Sequence, residues 1–450
     1  MASTQVTTRI LRRLLASGVI SRAERLLLRM HPADLAPLLG ALQPEEIRTV
    51  VDLLFRHRRA ARTLRELPIE MVPQIFEVLS DERIAQVIAR LEVDDMLELI
   101  EAIPEERRDA VVALIPESRR EELRKVQLYP ESSAGRVMTT RFVAVEEKLT
   151  AQQAIDRIRE IGDEAESVLY LYVVDDQRRL LGVVPIRRLV SARPDRPCGE
   201  LMIREPVSVR ADADQEEAAH LVARYNLLAI PVTEADGRLL GIITVDDVIE
   251  VITEEATEDI YHLAGLSEDD RVFSPARQSI RKRLPWMLLN LGTAFTAAWV
   301  VGLFERTLDQ FVTLAIFLPV VAAMGGNGGI QALTVITRAI ALEEIEFSSG
   351  LRAAGKELVV GITIGAVTGV ASGFIVYAWR GNPYLGLVLF LAMMISMAIA
   401  GLLGAAVPLL LKGLRQDPAL GSGVIVTTTT DIVGFFTFLT IGTRMMDYLA

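Results

Sequence analysis

Cysteine is nearly absent: Cys198 is the single one in 450 residues. One cysteine excludes an intramolecular disulfide and suits a reducing compartment. It lies beside Pro197 in a linker, with no partner base in the sequence pattern, and no nucleophile–base set stands elsewhere. A glycine-rich phosphate loop of the Walker type is also missing, so neither ATP hydrolysis nor another enzymatic reaction is indicated. Positive charge is in deficit, with a net charge of −11. That argues against a nucleic-acid partner, which needs clustered lysine and arginine. No long apolar run occurs before about residue 280, and the N-terminus lacks a charged, then apolar, then small-residue pattern. The expectation is that no signal peptide is cleaved and that the first half stays in the cytosol.

The second half is of the opposite character. A helix needs about 20 apolar residues to cross a bilayer. Five runs qualify, at about 284–304, 311–338, 357–379, 384–411 and 420–443. Five spans put the two termini on opposite sides. Orientation follows from the basic residues in the short flanks. Arg277, Arg281, Lys282 and Arg283 precede the first span, and only Arg306 follows it. Arg338, Arg352 and Lys356 follow the second, and Arg380 the third. Lys412 and Arg415 follow the fourth, and Arg444 ends the fifth. The alternation is expected to place the N-terminal half of this multi-pass protein in the cytosol and the C-terminus outside.

Two features of these spans point to chemistry. Gly325-Gly326-Asn327-Gly328-Gly329 is poor helix material, and Pro319 lies six residues upstream. Irregular backbone at membrane depth is tolerated where it is buried or lines a wet cavity. The segment is therefore expected to line a pore, with the carbonyls of Gly325 and Gly326 and the Asn327 amide facing the path. Asp431 is the second feature. A carboxylate at a helix centre costs about 3 kcal/mol on insertion scales, and such groups mark ion paths. Thr427 to Thr430 precede it, so hydroxyls such as Thr427 and Thr430 are candidates to share its face. The plainer reading is an acid that only joins helices, and no charge in the other spans is available to pair with it. In the third run glycines recur every four residues, Gly361, Gly365, Gly369 and Gly373, a spacing that reads as close helix packing.

The first half carries two repeats. Ser80, Glu92, Pro104 and Pro116 each open a unit 12 residues after the last, and His31 and Gln43 start two similar units. Each unit begins with capping or acidic residues and runs into aliphatics, which predicts short helices stacked in a superhelix over residues 1–130. Asp94 and Glu98 share a helix face there and are either solvated or able to hold a cation. From residue 131 to 250 a longer repeat follows. Val137-Met138-Thr139 returns as Leu201-Met202-Ile203, 64 residues on. Leu181-Gly182-Val183-Val184 returns as Leu240-Gly241-Ile242-Ile243. The β-α-β-β-α order resembles a tandem pair of cystathionine-β-synthase-type (CBS) domains, at about 137–197 and 201–250, which implies a regulatory module. The fold class is thus an N-terminal α-helical superhelix, an α+β CBS pair, a connecting helix in 251–280 and a five-helix membrane domain in 281–450.

Between Glu205 and Asp270 stand 17 carboxylates against three arginines. Glu255, Glu258 and Asp259 form one helix face, and Asp247 and Glu250 another. A charge run alone reads as a solvated surface. Here its place between a regulatory module and an apparent cation pore favours a site for a hard cation such as Mg²⁺, whose ligands are carboxylate oxygens.

With these parts in place the chain resembles the MgtE magnesium transporters. The resemblance rests on Gly325-Gly326-Asn327-x-Gly-x-Gln331 and Thr430-Asp431-Ile432-x-Gly434. It rests further on Asp212-x-Asp214-Gln215-Glu216-Glu217 and Glu255-Ala256-Thr257-Glu258-Asp259-Ile260. It implies a homodimer in the lipid bilayer, with a pore on the two-fold axis where both copies of Asp431 hold a hydrated Mg²⁺. It also implies that cytosolic Mg²⁺ closes the channel from between the helical domain, the CBS pair and the connecting helix. The gating ligands would come from Asp94, Glu98, Asp214, Glu216, Asp247, Glu250, Glu255, Glu258 and Asp259. Some members have Asn where Ile330 stands. Some bind ATP between the CBS domains, and Tyr170 and Arg187 are the residues here that would meet it. Against ATP, Leu227 replaces an aromatic residue and Arg188 an acid.

The reading is a Mg²⁺ transporter driven by the membrane potential and regulated by its cargo. Two alternatives remain. A broader Co²⁺, Mn²⁺ or Ni²⁺ carrier is disfavoured by spans that lack His and Cys, since all four histidines, His31, His57, His220 and His262, lie outside them. A membrane-anchored nucleotide sensor that conducts nothing would leave Asp431 and the glycine segment without a purpose.

Overall fold

The computed structural model describes residues 2–449 apart from 163, 164, 166, 267–269, 271, 273–275, 343, 346 and 415. Arg415, one of the basic flanking residues, and positions 267–269, 271 and 273–275 of the expected 251–280 connecting segment lie outside the described residues. The chain divides into two compact units, Met1–Ile252 and Thr253–Ala450.

In the first unit the 12-residue repeat becomes a series of short helices, Asp81–Ile88, Val93–Glu101, Glu105–Leu114 and Glu117–Val126. Their N-caps are Ser80, Glu92, Pro104 and Pro116, the residues that open the sequence units. No side chain among these four bonds the helix start. The acids of the first turn, among them Asp81, Glu82, Asp94, Asp95, Glu105 and Glu106, instead face the positive end of each helix dipole. Side-chain caps do appear earlier: His31 Nδ1 accepts the Ala33 N–H, and Glu46 accepts the Gln43 N–H at 2.8 Å. Each helix buries one aliphatic face on its neighbours, through residues such as Ile84, Val87, Met96 and Ile100.

The CBS repeat forms two sheets. In one, Ala144–Glu146 runs parallel to Tyr170–Val174, which pairs antiparallel with Leu180–Pro185, followed by Ile203–Arg204. In the other, Val209–Arg210 runs parallel to Ala229–Thr233, which pairs antiparallel with Leu239–Thr244. The ladder shifts register at equivalent places, Val173/Val174 and Val232/Thr233. The start of each copy crosses to the other: Ile203 pairs with Val183, and Thr139 bridges Ile242. The core of the helical series continues without a break into the second CBS copy, through Val126, Met138, Val209, Ala218, Ile230, Val248 and Val251. The first CBS copy keeps a separate core around Leu171, Val184 and Leu201.

No helix boundary exists at residues 250/251. Val245–Leu263 is one continuous helix, so the last CBS helix and the start of the connecting helix are a single element. It has no glycine or proline to stop it before Gly265, whose φ of +67° closes it. The Leu266 N–H bonds the Tyr261 carbonyl at 2.8 Å and the Gly265 N–H bonds His262, a double capping pattern typical of glycine ends.

Five helices in the described chain are long and apolar enough to cross a membrane: Ala276–Gly302, Thr313–Ala341, Phe347–Arg380, Pro383–Gly413 and Ser422–Arg444. The third begins ten residues before its apolar run, so Arg352 and Lys356 lie on the helix itself. The glycine stripe does what its spacing indicates. A methyl at Gly361, Gly365, Gly369 or Gly373 would stand within 3.0 Å of backbone of the fourth span, at Met397, Met394, Phe390 or Gly386.

Candidate functional site

Asp431 is half-buried near the middle of the fifth span. It lines a cavity of about 330 Å³ with Thr427 and Thr428 of its own helix. The far wall is Asn290, Thr293, Ala294 and Ala297 of the first span and Ile330 of the second. Thr427 stands one turn before Asp431, which is why both face the same space. Its hydroxyl donates to the Gly423 carbonyl at 2.8 Å, leaving the oxygen lone pairs toward the cavity. Among the described residues, no lysine, arginine or histidine is within ion-pair reach of Asp431. The remaining wall is the end of the Val245–Leu263 helix: Leu263 and Ala264 line the same cavity. That approach depends on Gly423, where an added methyl would stand 2.5 Å from the Leu263 carbonyl.

Three expectations about this site are corrected. The Gly325–Gly329 segment is not irregular: Thr313–Ala341 is helical throughout, past Pro319 as well. In a medium without water the backbone has no other partners, and the helix persists despite its glycines. The carbonyls of Gly325 and Gly326 are therefore those of a helix. The glycines serve contact instead: Gly325 is buried against Ser396 and Thr430, and Gly329 against Val426. Thr430 is likewise buried, 1% exposed, on the side facing those glycines and not in the Asp431 cavity. Asn327 is exposed and does not line the cavity. Ala323, Asn327, Ile330 and Thr334 form one exposed stripe of the second span, and Ile330 joins that stripe to the cavity.

Thr428 belongs to the threonine run noted ahead of Asp431, whereas Asn290 and Thr293 were not among the expected site residues. Asn290 carried a signal, being the one amide in its span.

Within the second unit, Glu255, Glu258 and Asp259 are half-buried on one face of the Val245–Leu263 helix. His262 Nδ1 lies 2.7 Å from Asp417 Oδ2 and 3.7 Å from Glu258 Oε1. Asp417 comes from the segment between the fourth and fifth spans. Burial holds the Asp259 carboxyl above its ordinary range, the Asp417 charge pushes it the same way, and His262 opposes both. The His262–Asp417 pairing has no signal in sequence spacing, because 155 residues separate the two.

In the first unit, Asp95 shares Arg65 with Asp247. Arg65 Nε sits 3.0 Å from Asp95 Oδ1, and its other nitrogen 3.8 Å from Asp247 Oδ1. Asp247 is 3% exposed, and its Oδ2 accepts the Thr244 hydroxyl at 2.5 Å. Burial raises the Asp95 carboxyl to about 7; Arg65 opposes this, while Asp247, Glu250 and Glu92 add to it. Asp214 is a helix N-cap that accepts the Glu216 N–H at 2.9 Å, and Glu216 lies 4.0 Å from His220. Among the described residues no three His, Cys, Asp or Glu side chains converge as a metal site. The carboxylate sets as placed here are charge clusters and not assembled coordination shells.

Tyr170 packs in the apolar cleft between the two CBS sheets with Phe142, Tyr172 and Leu180. Arg187 is exposed, and Arg188 donates to the Leu201 carbonyl at 2.9 Å. Leu227 packs in the other core, toward the helical series.

A family described as "Divalent cation transporter" (MgtE) matches residues 318–441. The MgtE intracellular N domain matches 30–132, and the CBS domain matches 134–195 and 198–254. "Magnesium transporter MgtE" of Bacillus subtilis is 31% identical, over 92% of this chain and 95% of its own length. The protein of that name from Thermus thermophilus is 33% identical, over 93% of this chain and 94% of its own. Among solved structures, the cytosolic domain of the Mg²⁺ channel MgtE in complex with ATP is similar with a TM-score of 0.52 and 34% identity. It covers 54% of this chain and 99% of that one. The soluble part of a magnesium transporter is similar with a TM-score of 0.53 and 25% identity, over 56% of this chain and 99% of that one.

Proposed function

The chain belongs to the MgtE family of magnesium transporters, a multi-pass membrane family and not an enzyme, and from that premise we propose a Mg²⁺-selective path through Asp431 that the membrane potential drives and cytosolic Mg²⁺ closes. The observation that carries the reading is Asp431 in a hydroxyl-lined cavity with no basic partner among the described residues.

Mg²⁺ gives up its waters reluctantly, so a path for it must admit the hydrated ion. Asp431 attracts the ion, while Thr427, Thr428, Asn290 and Thr293 offer hydrogen bonds to its waters. A second copy of the chain supplies a second Asp431 across a two-fold axis, and the Asn327 stripe, exposed in one chain, faces that copy. A divalent ion moving inward gains about 4.6 kcal/mol per 100 mV, twice the single-charge value. The path lies in the bacterial cytoplasmic membrane, with the CBS pair in the cytosol and the C-terminus outside, by the alternation of basic flanks.

The end of the Val245–Leu263 helix is the gate, because Leu263 and Ala264 already stand in the Asp431 cavity. A regulatory Mg²⁺ near Glu255, Glu258, Asp259 and Asp417 would supply charge neutralisation there. The raised Asp259 carboxyl fits that need, since burial and then the Asp417 charge both oppose its ionisation. Asp94, Glu98, Asp214 and Glu216 stand as further candidates on the cytosolic surface. ATP at Tyr170 and Arg187 is a secondary expectation, supported by the ATP complex of the similar cytosolic domain alone.

Flux into liposomes tests the reading. Asp431→Asn should lower Mg²⁺ uptake at least tenfold, with Co²⁺, Mn²⁺ and Ni²⁺ measured alongside to rank selectivity. Undiminished uptake in that variant would refute the path.

A further inference from the structure

The seam between the helical series and the second CBS copy holds more negative charge than its depth tolerates. Asp247 is almost fully buried, and Asp95, Glu250 and Glu92 lie close enough for their charges to be felt at one point. Carboxylates removed from water and pressed together need a cation between them. In this chain that position is taken from within. Arg65 is the last residue of the Ala60–Arg65 helix, where a positive side chain also suits the helix end. Its guanidinium reaches Asp95 of the helical series and Asp247 of the CBS copy from the same fork. A guanidinium is permanently charged and holds its donors in a fixed plane, so it can bridge two carboxylates as a divalent cation would.

The surroundings agree. Between residues 2 and 65 the sequence has twelve arginines against five carboxylates, in a protein whose net charge is −11. The same seam has two more arginine–glutamate ties, Arg141 to Glu92 and Arg136 to Glu101, each at 2.7 Å. The apolar core runs across it without interruption. A donor set with a guanidinium at its centre does not fit a Mg²⁺ ion.

We propose that Arg65 is the resident cation of this seam, so that the helical series docks on the second CBS copy without divalent metal. The metal response is then left to Glu255, Glu258 and Asp259, farther along the Val245–Leu263 helix. Only that last statement rests on the regulatory reading above; the docking of the two parts does not.

The test uses the full chain in lipid nanodiscs, with Cys198→Ala as background. Spin labels go at Asp109→Cys in the helical series and Arg224→Cys in the second CBS copy, both exposed. The distance distribution is recorded in EDTA and in millimolar MgCl₂. The expected result is one narrow distance in both. Arg65→Gln should lose the narrow peak in EDTA, and Arg65→Lys should keep it. Arg65→Gln with Asp95→Asn should regain it, because the excess charge is gone; a role in packing alone would give no such rescue. A broad distribution in EDTA that narrows in MgCl₂ with Arg65 in place would overturn the proposal. So would a narrow one for Arg65→Gln in EDTA, or a double variant that stays broad or unfolded. Inhibition of Mg²⁺ uptake by cytosolic Mg²⁺ is measured on the same preparation. Its absence, with the distances as expected, would sink the regulatory reading and leave the Arg65 assignment standing.

Discussion

At the scale of single residues, the counter-charge beside a buried or half-buried carboxylate is what separates structural from functional groups. Asp431 has hydroxyls and an amide around it and no counter-charge among the described residues. Asp95 and Asp247 have Arg65. The two cases predict different responses to pH. In metal-free buffer the docked seam holds the Asp95 proton more tightly than the open chain does, since its carboxyl is raised from 3.8 to about 7. Docking therefore gains from Asp95 fully below its ordinary range, and loses that gain as pH rises through about 7. The groups facing it are Arg65, Asp247, Glu250 and Glu92, and Asp95→Asn should flatten the dependence. The same distance distributions, recorded across that pH range, check this. A second residue-scale prediction concerns Gly423. A leucine there collides with the Leu263 carbonyl and should hold the helix end away from the cavity. Uptake by Gly423→Leu should then persist at cytosolic Mg²⁺ levels that silence the parent protein.

At the scale of elements, two helices behave unlike their local sequence. The second span stays helical through four glycines in five residues, because in a bilayer the backbone finds partners only within itself. The Val245–Leu263 helix ignores the domain boundary that sequence repeats suggest, because nothing in it breaks a helix before Gly265. The third and fourth spans, by contrast, follow their pattern. Gly365→Leu should drive them apart, at a cost of about 1–3 kcal/mol or more for overpacking. The check is the melting temperature of the detergent-solubilised protein, which should fall while the CBS pair alone is unaffected.

At the scale of the molecule, the alternation of basic flanks and the number of spans predict a topology that can be tested. A cysteine at Asp447 in a Cys198→Ala background should react with a membrane-impermeant maleimide applied from outside intact cells. One at Asp109 should not react until the membrane is opened. Labelling of Asp109→Cys from outside would reverse the orientation and place the CBS pair away from cytosolic Mg²⁺.

What the sequence determined by itself is whatever depends on neighbours along the chain. Helix starts at Ser80, Glu92, Pro104 and Pro116, the two CBS copies, the five spans and the isolation of Asp431 were all legible, since caps, periodicity and hydropathy are local properties. Tertiary structure alone decided which groups share a space. Asp95 meets Asp247, Arg65 lies between them, Asn290 and Thr293 face Asp431, and Asp417 reaches His262. Those pairings join residues distant in sequence, and a one-residue step on a helix turns a side chain by about 100°, far enough to exchange one partner for another. Sequence spacing defines the faces of each helix; only packing selects which face meets which.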